Sequence, residues 1–261
     1  MCLIFLSIQN HPKYPLIVAA NRDEFYKRKT SPAGFWADHR HILGGRDLEA
    51  GGTWLGMTLS GKISMITNYR DLKNLKPQAP SRGELTTNFL SREDPAETYM
   101  KKIQESGPRY NGFNFLAGTP DELWYFSNYG NGIQKLNAGL YGLSNHLLDT
   151  PWPKVTRGKE MMQPLLQQPE ISIPDLFDAL SNEHRAPDNQ LPETGVSLDR
   201  ERMLSSMFIK SPDYGSRSST IILVDKQNHV RFTERVYEPN TGQHSTKEFE
   251  FDVVTDGPSL S

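Results

Sequence analysis

The chain opens on an apolar run, Cys2-Leu3-Ile4-Phe5-Leu6-Ser7-Ile8, and a second follows at Leu16-Ile17-Val18-Ala19-Ala20. Both are short and rich in β-branched or aromatic residues, with a polar link at 9–14, and this predicts a β-hairpin. The second run leads straight into Asn21-Arg22-Asp23-Glu24-Phe25. Residues 27–32 read as a polar exit loop. Gly44-Gly45-Arg46-Asp47 and Gly51-Gly52 read as tight turns, where glycine supplies positive φ. Strands are predicted over 53–59 and 62–68. Ser81-x-x-Glu84 has the form of a capping box, and Asp94-Pro95 that of an N-cap before proline, so two helices should follow.

A second β region spans 111–144, with strands over 113–117, 123–127 and 133–136. Helices are predicted at 152–166 and 174–182, the latter with Leu176, Phe177 and Leu180 on one side. Residues 186–199 form a polar, Pro- and Gly-containing loop that serves either as a lid or as a plain connector. The end returns to strands at 218–225 and 230–237, with a weakly alternating edge strand over 247–254. Strands and helices alternate in blocks with hairpin links. That order predicts an α+β fold: two antiparallel sheets face to face, covered by helices, a four-layer αββα sandwich forming a single domain over 1–261.

Composition narrows the function classes. A net charge of −2 gives no general pull toward nucleic acid or anionic membranes. Cys2 is the one cysteine, which excludes an internal disulfide framework and suits a reducing compartment. No apolar run approaches the roughly 18 residues of a membrane span, and no basic segment precedes the first run. A cytoplasmic protein without integral membrane segments is expected; the oligomeric state is left open.

The chemistry of interest gathers at the start. Removal of Met1 would leave Cys2 with thiol and α-amine on one residue. A thiol attacks as thiolate and needs activation; an α-amine, with pKa about 7.7–8.0, can act as its base. The hairpin brings Arg22 and Asp23 back past Cys2, where Arg22 would lower the thiol pKa and Asp23 would hold the amine. Asn68 and Asn145, each at a strand end, offer side-chain amides for an oxyanion. Each has a plainer alternative. Cys2 can be an ordinary strand residue, Arg22 and Asp23 a surface ion pair, the asparagines turn residues, and Arg217 an exposed charge at a strand start.

Taken together these residues resemble a family. Met1-Cys2 followed by Asn21-Arg22-Asp23-Glu24 is similar to the start of the NRDE proteins, the transport and Golgi organisation 2 family. Further matches are Gly51-Gly52-Thr53-Trp54-Leu55-Gly56, Thr67-Asn68-Tyr69-Arg70, Gly142-Leu143-Ser144-Asn145, Pro151-Trp152-Pro153-Lys154 and Tyr214-Gly215-Ser216-Arg217. The resemblance implies an amino-terminal-nucleophile (Ntn) hydrolase-like fold. More distantly the chain looks like penicillin V acylases and bile salt hydrolases, with Asn68 and Asn145 in the place of oxyanion asparagines and Arg217 standing for a late arginine near the thiol. Arg22 and Asp23 are adjacent here, whereas those hydrolases separate the pair by two residues.

Two functions are therefore expected. One is a cysteine hydrolase or acyl-transfer enzyme acting on an amide or thioester of a small substrate, needing no metal or cofactor, with Trp36, Trp54 or Phe25 lining an acyl cleft. The other, implied by the family's association with haem trafficking, lipid metabolism and secretory-pathway organisation, is a non-catalytic carrier of haem or an acyl-CoA-like lipid. His39-x-His41 suggests a metal pair without a third ligand, and solvated histidines are the simpler reading.

Overall fold

Strands β1 (Cys2–Ile8) and β2 (Leu16–Phe25) pair antiparallel, with Cys2 opposite Arg22 and Ile8 opposite Leu16. The structure, a computed structural model, describes residues 2–239 and 241–254. Met1, and with it the expected processing to Cys2, lies outside them. β1 is buried along its whole length. Its even-numbered residues Ile4, Leu6 and Ile8 join one core cluster, and Leu3 and Phe5 another. The period-2 alternation thus feeds two separate cores from one strand.

Chain order continues with β3 (Thr30–Phe35), β4 (Ile42–Asp47), β5 (Leu55–Thr58), β6 (Ile63–Asn68), α1 (Gly83–Leu90) and α2 (Ala96–Ser106). Next come β7 (Phe113–Thr119), β8 (Glu122–Ser127), β9 (Gln134–Lys135), β10 (Gly139–Leu143), α3 (Pro153–Leu165), α4 (Ile173–Leu180) and α5 (Leu198–Leu204). β11 (Tyr214–Val224), β12 (His229–Tyr237) and β13 (His244–Asp252) complete it. A six-stranded sheet has the order β10-β1-β2-β11-β12-β13, and a seven-stranded sheet runs β3 to β9 in sequence. The first core lies between the sheets. The second sits under α3 and α4, and a third under α1 and α2. These are the expected four layers.

Several local readings change. The pattern reads 27–32 as a loop and 44–47 as a turn, yet residues 30–32 begin β3 and residues 44–47 end β4, both strands of the seven-stranded sheet. Pro32 is tolerated because β3 is an edge strand with a register shift between Ser31 and Gly34. Gly44 is needed because a Cβ there would lie 2.7 Å from the Leu55 carbonyl oxygen. Ser81 and Glu84 make no capping box: α1 has no side-chain cap, and Glu84 accepts from Tyr110 Oη at 2.5 Å instead. Asp94 pairs with Lys102 at 2.9 Å rather than capping α2. Within 186–199 a short 3₁₀ turn, Asp188–Gln190, precedes α5, which the pattern did not predict.

Candidate functional site

Cys2 is 7% exposed and lines a cavity of about 460 Å³ that opens between the two sheets. The hairpin register makes Arg22 its direct neighbour across β1 and β2, and Ser218 on β11 pairs with the other side of Arg22. The end of β6 brings Asn68 to the same cavity, as do Trp54, Arg82, Arg217 and Glu234. Burial pushes the Cys2 thiol pKa up; the charge of Asp23 adds to this and that of Arg22 opposes it.

Alternation along β2 separates Arg22 from Asp23. Asp23 is 1% exposed and shares the helix-side face with Asn21, whose amide donates to the Leu180 and Met207 carbonyls. Ser216 Oγ donates to Asp23 Oδ1 at 2.6 Å. Burial raises the Asp23 pKa, and the foremost opposing charge is Lys154. Lys154, in the first turn of α3, is 2% exposed, and its Nζ has no hydrogen-bond partner among the described residues. Desolvation pulls its pKa down to about 8, against the attraction of Asp23.

Asn145 does not line the cavity. It is fully buried, and its amide donates to the backbone carbonyl of Asn68 at 3.0 Å. Its own carbonyl accepts from the Arg70 backbone N–H at 2.7 Å. Asn68 presents to the cavity while Asn145 braces it from behind. Arg217 lines the cavity, but one guanidinium nitrogen donates to the carbonyls of Phe25, Tyr26 and Arg28 at 3.0, 3.2 and 3.0 Å. Its hydrogens therefore fasten the β2–β3 turn.

Of the aromatic residues expected at a cleft, Trp54 is in the wall. Trp36 is buried in the core under α1 and α2, and Phe25 is 46% exposed. His39 and His41 have ring centres 6.0 Å apart, and no group of three potential metal ligands occurs among the described residues.

Three residues escaped the sequence reading. Lys154 lay inside a quoted motif, and its burial is a tertiary fact. Glu234 sits on β12, is 3% exposed and accepts from the Ala33 N–H at 2.6 Å, so it ties the two sheets together beside the cavity. Burial pushes its pKa up to about 7. Arg82, at the start of α1, donates to the Gly112 carbonyl at 3.1 Å. Behind the site Arg70 pairs with Glu201 at 2.9 Å and stacks 4.7 Å over Trp152. Thr194 N donates to Glu201 Oε1 at 3.0 Å, which fastens the 186–199 segment to α5.

The family model described as Transport and Golgi organisation 2 matches residues 1–239. The chain belongs to that family. It is 38% identical over 273 residues to the Transport and Golgi organization 2 homolog of Mus musculus, covering 96% of this chain and 99% of that one. The Homo sapiens homolog is also 38% identical over 273 residues, with the same coverage of 96% and 99%. The Drosophila melanogaster protein is 30% identical over 260 residues, covering 90% of this chain and 91% of that one. Among solved structures, a mutant of conjugated bile acid hydrolase from Clostridium perfringens superposes with a TM-score of 0.52 at 7% identity, covering 98% of each chain. A second variant of that hydrolase gives 0.52 at 9% identity over 100% of each chain. At such identities the likeness establishes the fold alone: an Ntn-hydrolase-like sandwich.

Proposed function

We propose that the protein is a cysteine hydrolase or acyl-transfer enzyme acting on an amide or thioester of a small acyl substrate. The observation that carries this is the meeting of Cys2, Arg22 and Asn68 at one cavity. Those residues come from β1, β2 and the end of β6, and no packing need of the core requires a thiol, a guanidinium and an amide at one opening.

In this reading Met1 is removed and the Cys2 α-amine takes the thiol proton. The sulfur attacks the carbonyl carbon, a C–S bond forms, and the carbonyl oxygen becomes an oxyanion facing Asn68. The ammonium returns its proton to the leaving nitrogen or sulfur as that bond breaks. Water, deprotonated by the same amine, then cleaves the thioester on Cys2 and regenerates the thiol. Arg22 opposes, without overcoming, the burial that favours the neutral thiol. Asn145 sets the position of Asn68.

The test has two stages. Intact mass should show loss of Met1, since a retained methionine would block the amine. An electrophilic acyl probe should then label the native protein and leave Cys2→Ala unlabelled. Equal labelling of both, or a retained Met1, would remove the reading.

The carrier alternative has no comparable observation behind it. His146, the histidine next to Asn145 in the chain, does not line the cavity, and its ring nitrogens meet Tyr69 Oη at 2.9 Å and Thr150 Oγ1 at 2.8 Å.

A further inference from the structure

Five arginines face the thiol cavity: Arg22, Arg28, Arg46, Arg82 and Arg217. Two are neutralised. Arg28 pairs with Asp47 at 2.7 Å, and Arg46 binds both oxygens of Asp38 at 2.6 and 2.7 Å. The other three are not. Arg22 comes no nearer a carboxylate than 3.9 Å, at Glu24, and its side chain is only 11% exposed. Arg82 and Arg217 enter no ion pair among the described residues and bond mainly to carbonyls. A carbonyl satisfies a guanidinium's hydrogens but leaves its charge uncompensated. Among the described residues, Glu24 acts on both Arg82 and Arg217, while the two other carboxylates that Arg22 acts on at this cavity, Asp23 and Glu234, are pushed by burial toward their neutral forms.

Like charges held together at a concave, partly dewatered surface focus a positive potential into the opening. The guanidinium fork matches carboxylate and phosphate geometry. α1 begins at the same wall, with Ser81, Arg82 and Gly83 lining it and no side chain capping the helix. Trp54, Ile66 and Val236 add apolar surface to the same cavity. The net charge of −2 concealed this local excess of cations.

We infer that the cavity is an anion-binding site, and that the acyl compound presented to Cys2 carries a carboxylate or phosphate group held by Arg22 and Arg82. The second half rests on the reading of Cys2 as nucleophile; the first does not.

Iodoacetate and iodoacetamide test it, because they alkylate a thiol with loss of iodide and differ in charge. On the folded protein iodoacetate should modify Cys2 about tenfold faster relative to iodoacetamide than it does on the urea-unfolded chain. Added inorganic phosphate and added acetate, in separate arms, should slow the iodoacetate reaction, and the stronger competitor identifies the preferred anion. In Arg82→Gln the ratio should fall toward the unfolded value, while Arg82→Lys should keep part of it; Arg22→Gln replaces Arg82→Gln if that variant does not fold. Equal ratios in the folded and unfolded protein would overturn the anion site and leave the nucleophile standing. A Cys2 silent to both reagents would instead count against the nucleophile. The anion site is then decided by calorimetric titration of inorganic phosphate, where binding lost in Arg82→Gln supports it and identical heats overturn it.

Discussion

Asn145 donates its side-chain amide to the backbone carbonyl of Asn68 across 3.0 Å, so the two asparagines at the candidate oxyanion position act in series. One faces the cavity and the other fixes where it faces. Asn145→Ala removes the donor and leaves the part-buried Asn68 carbonyl without it. The expected cost is about 1–3 kcal/mol. Urea unfolding midpoints measure it, and a loss under 0.5 kcal/mol, about the ordinary noise of surface changes, would show the bond to be incidental.

The Arg70–Glu201 pair is nearly dry, with side-chain exposures of 4% and 5%. Breaking such a pair from one side strands a charge. Glu201→Ala should therefore destabilise by about 3–5 kcal/mol, and Arg70→Met with Glu201→Leu together should recover most of it. A double variant as unstable as the single one would show that Trp152 and Thr194, which also contact this pair, carry the energy.

Gly158 lies in α3 against the buried ring of Phe5; a Cβ there would fall 1.9 Å from Phe5 Cζ. Gly→Ala inside a helix ordinarily stabilises by about 1 kcal/mol. Overpacking a tight core costs about 1–3 kcal/mol. The clash should win, so Gly158→Ala is expected to lower the melting temperature, and a rise would mean that α3 shifts freely over β1.

Glu234 gives the protein a pH dependence. Its pKa rises from 4.5 in the unfolded chain to about 7 in the fold, chiefly by burial. The folded state thus holds the proton more tightly. This stabilising contribution is complete below pH 4.5 and is lost as pH climbs through about 7, a swing on the order of 3 kcal/mol. Glu234→Gln copies the protonated form and should hold its urea midpoint between pH 5 and pH 8 better than the wild type does. Parallel curves for the two proteins would show that the carboxyl is already ionised at pH 5.

Much of the frame was legible from residues alone because its rules are local. Alternation and turn residues revealed the hairpin that sets Cys2 beside Arg22, and the β7–β8 hairpin. β3 and β4 were hidden because their glycines and Pro32 serve close packing and an edge position rather than a turn. α5 was missed since its short apolar pattern is carried by polar residues, with Glu201 turned inward to Arg70.

The amino-acid order by itself determined the two-sheet architecture, the family and some of the side chains that meet at the cavity, Cys2, Arg22 and Asn68 among them. It did not determine which way each faces. Arg22 and Asp23 are neighbours in the chain and both border the cavity, yet the pleat turns their side chains to opposite faces, and Asp23 meets Ser216 on the helix side. Asn145, Lys154 and Glu234 acquired their surroundings only when segments far apart in sequence packed together. Burial and charge proximity depend on that packing, so pKa values, hydrogen-bond partners and the cationic cavity wall were decided by tertiary structure.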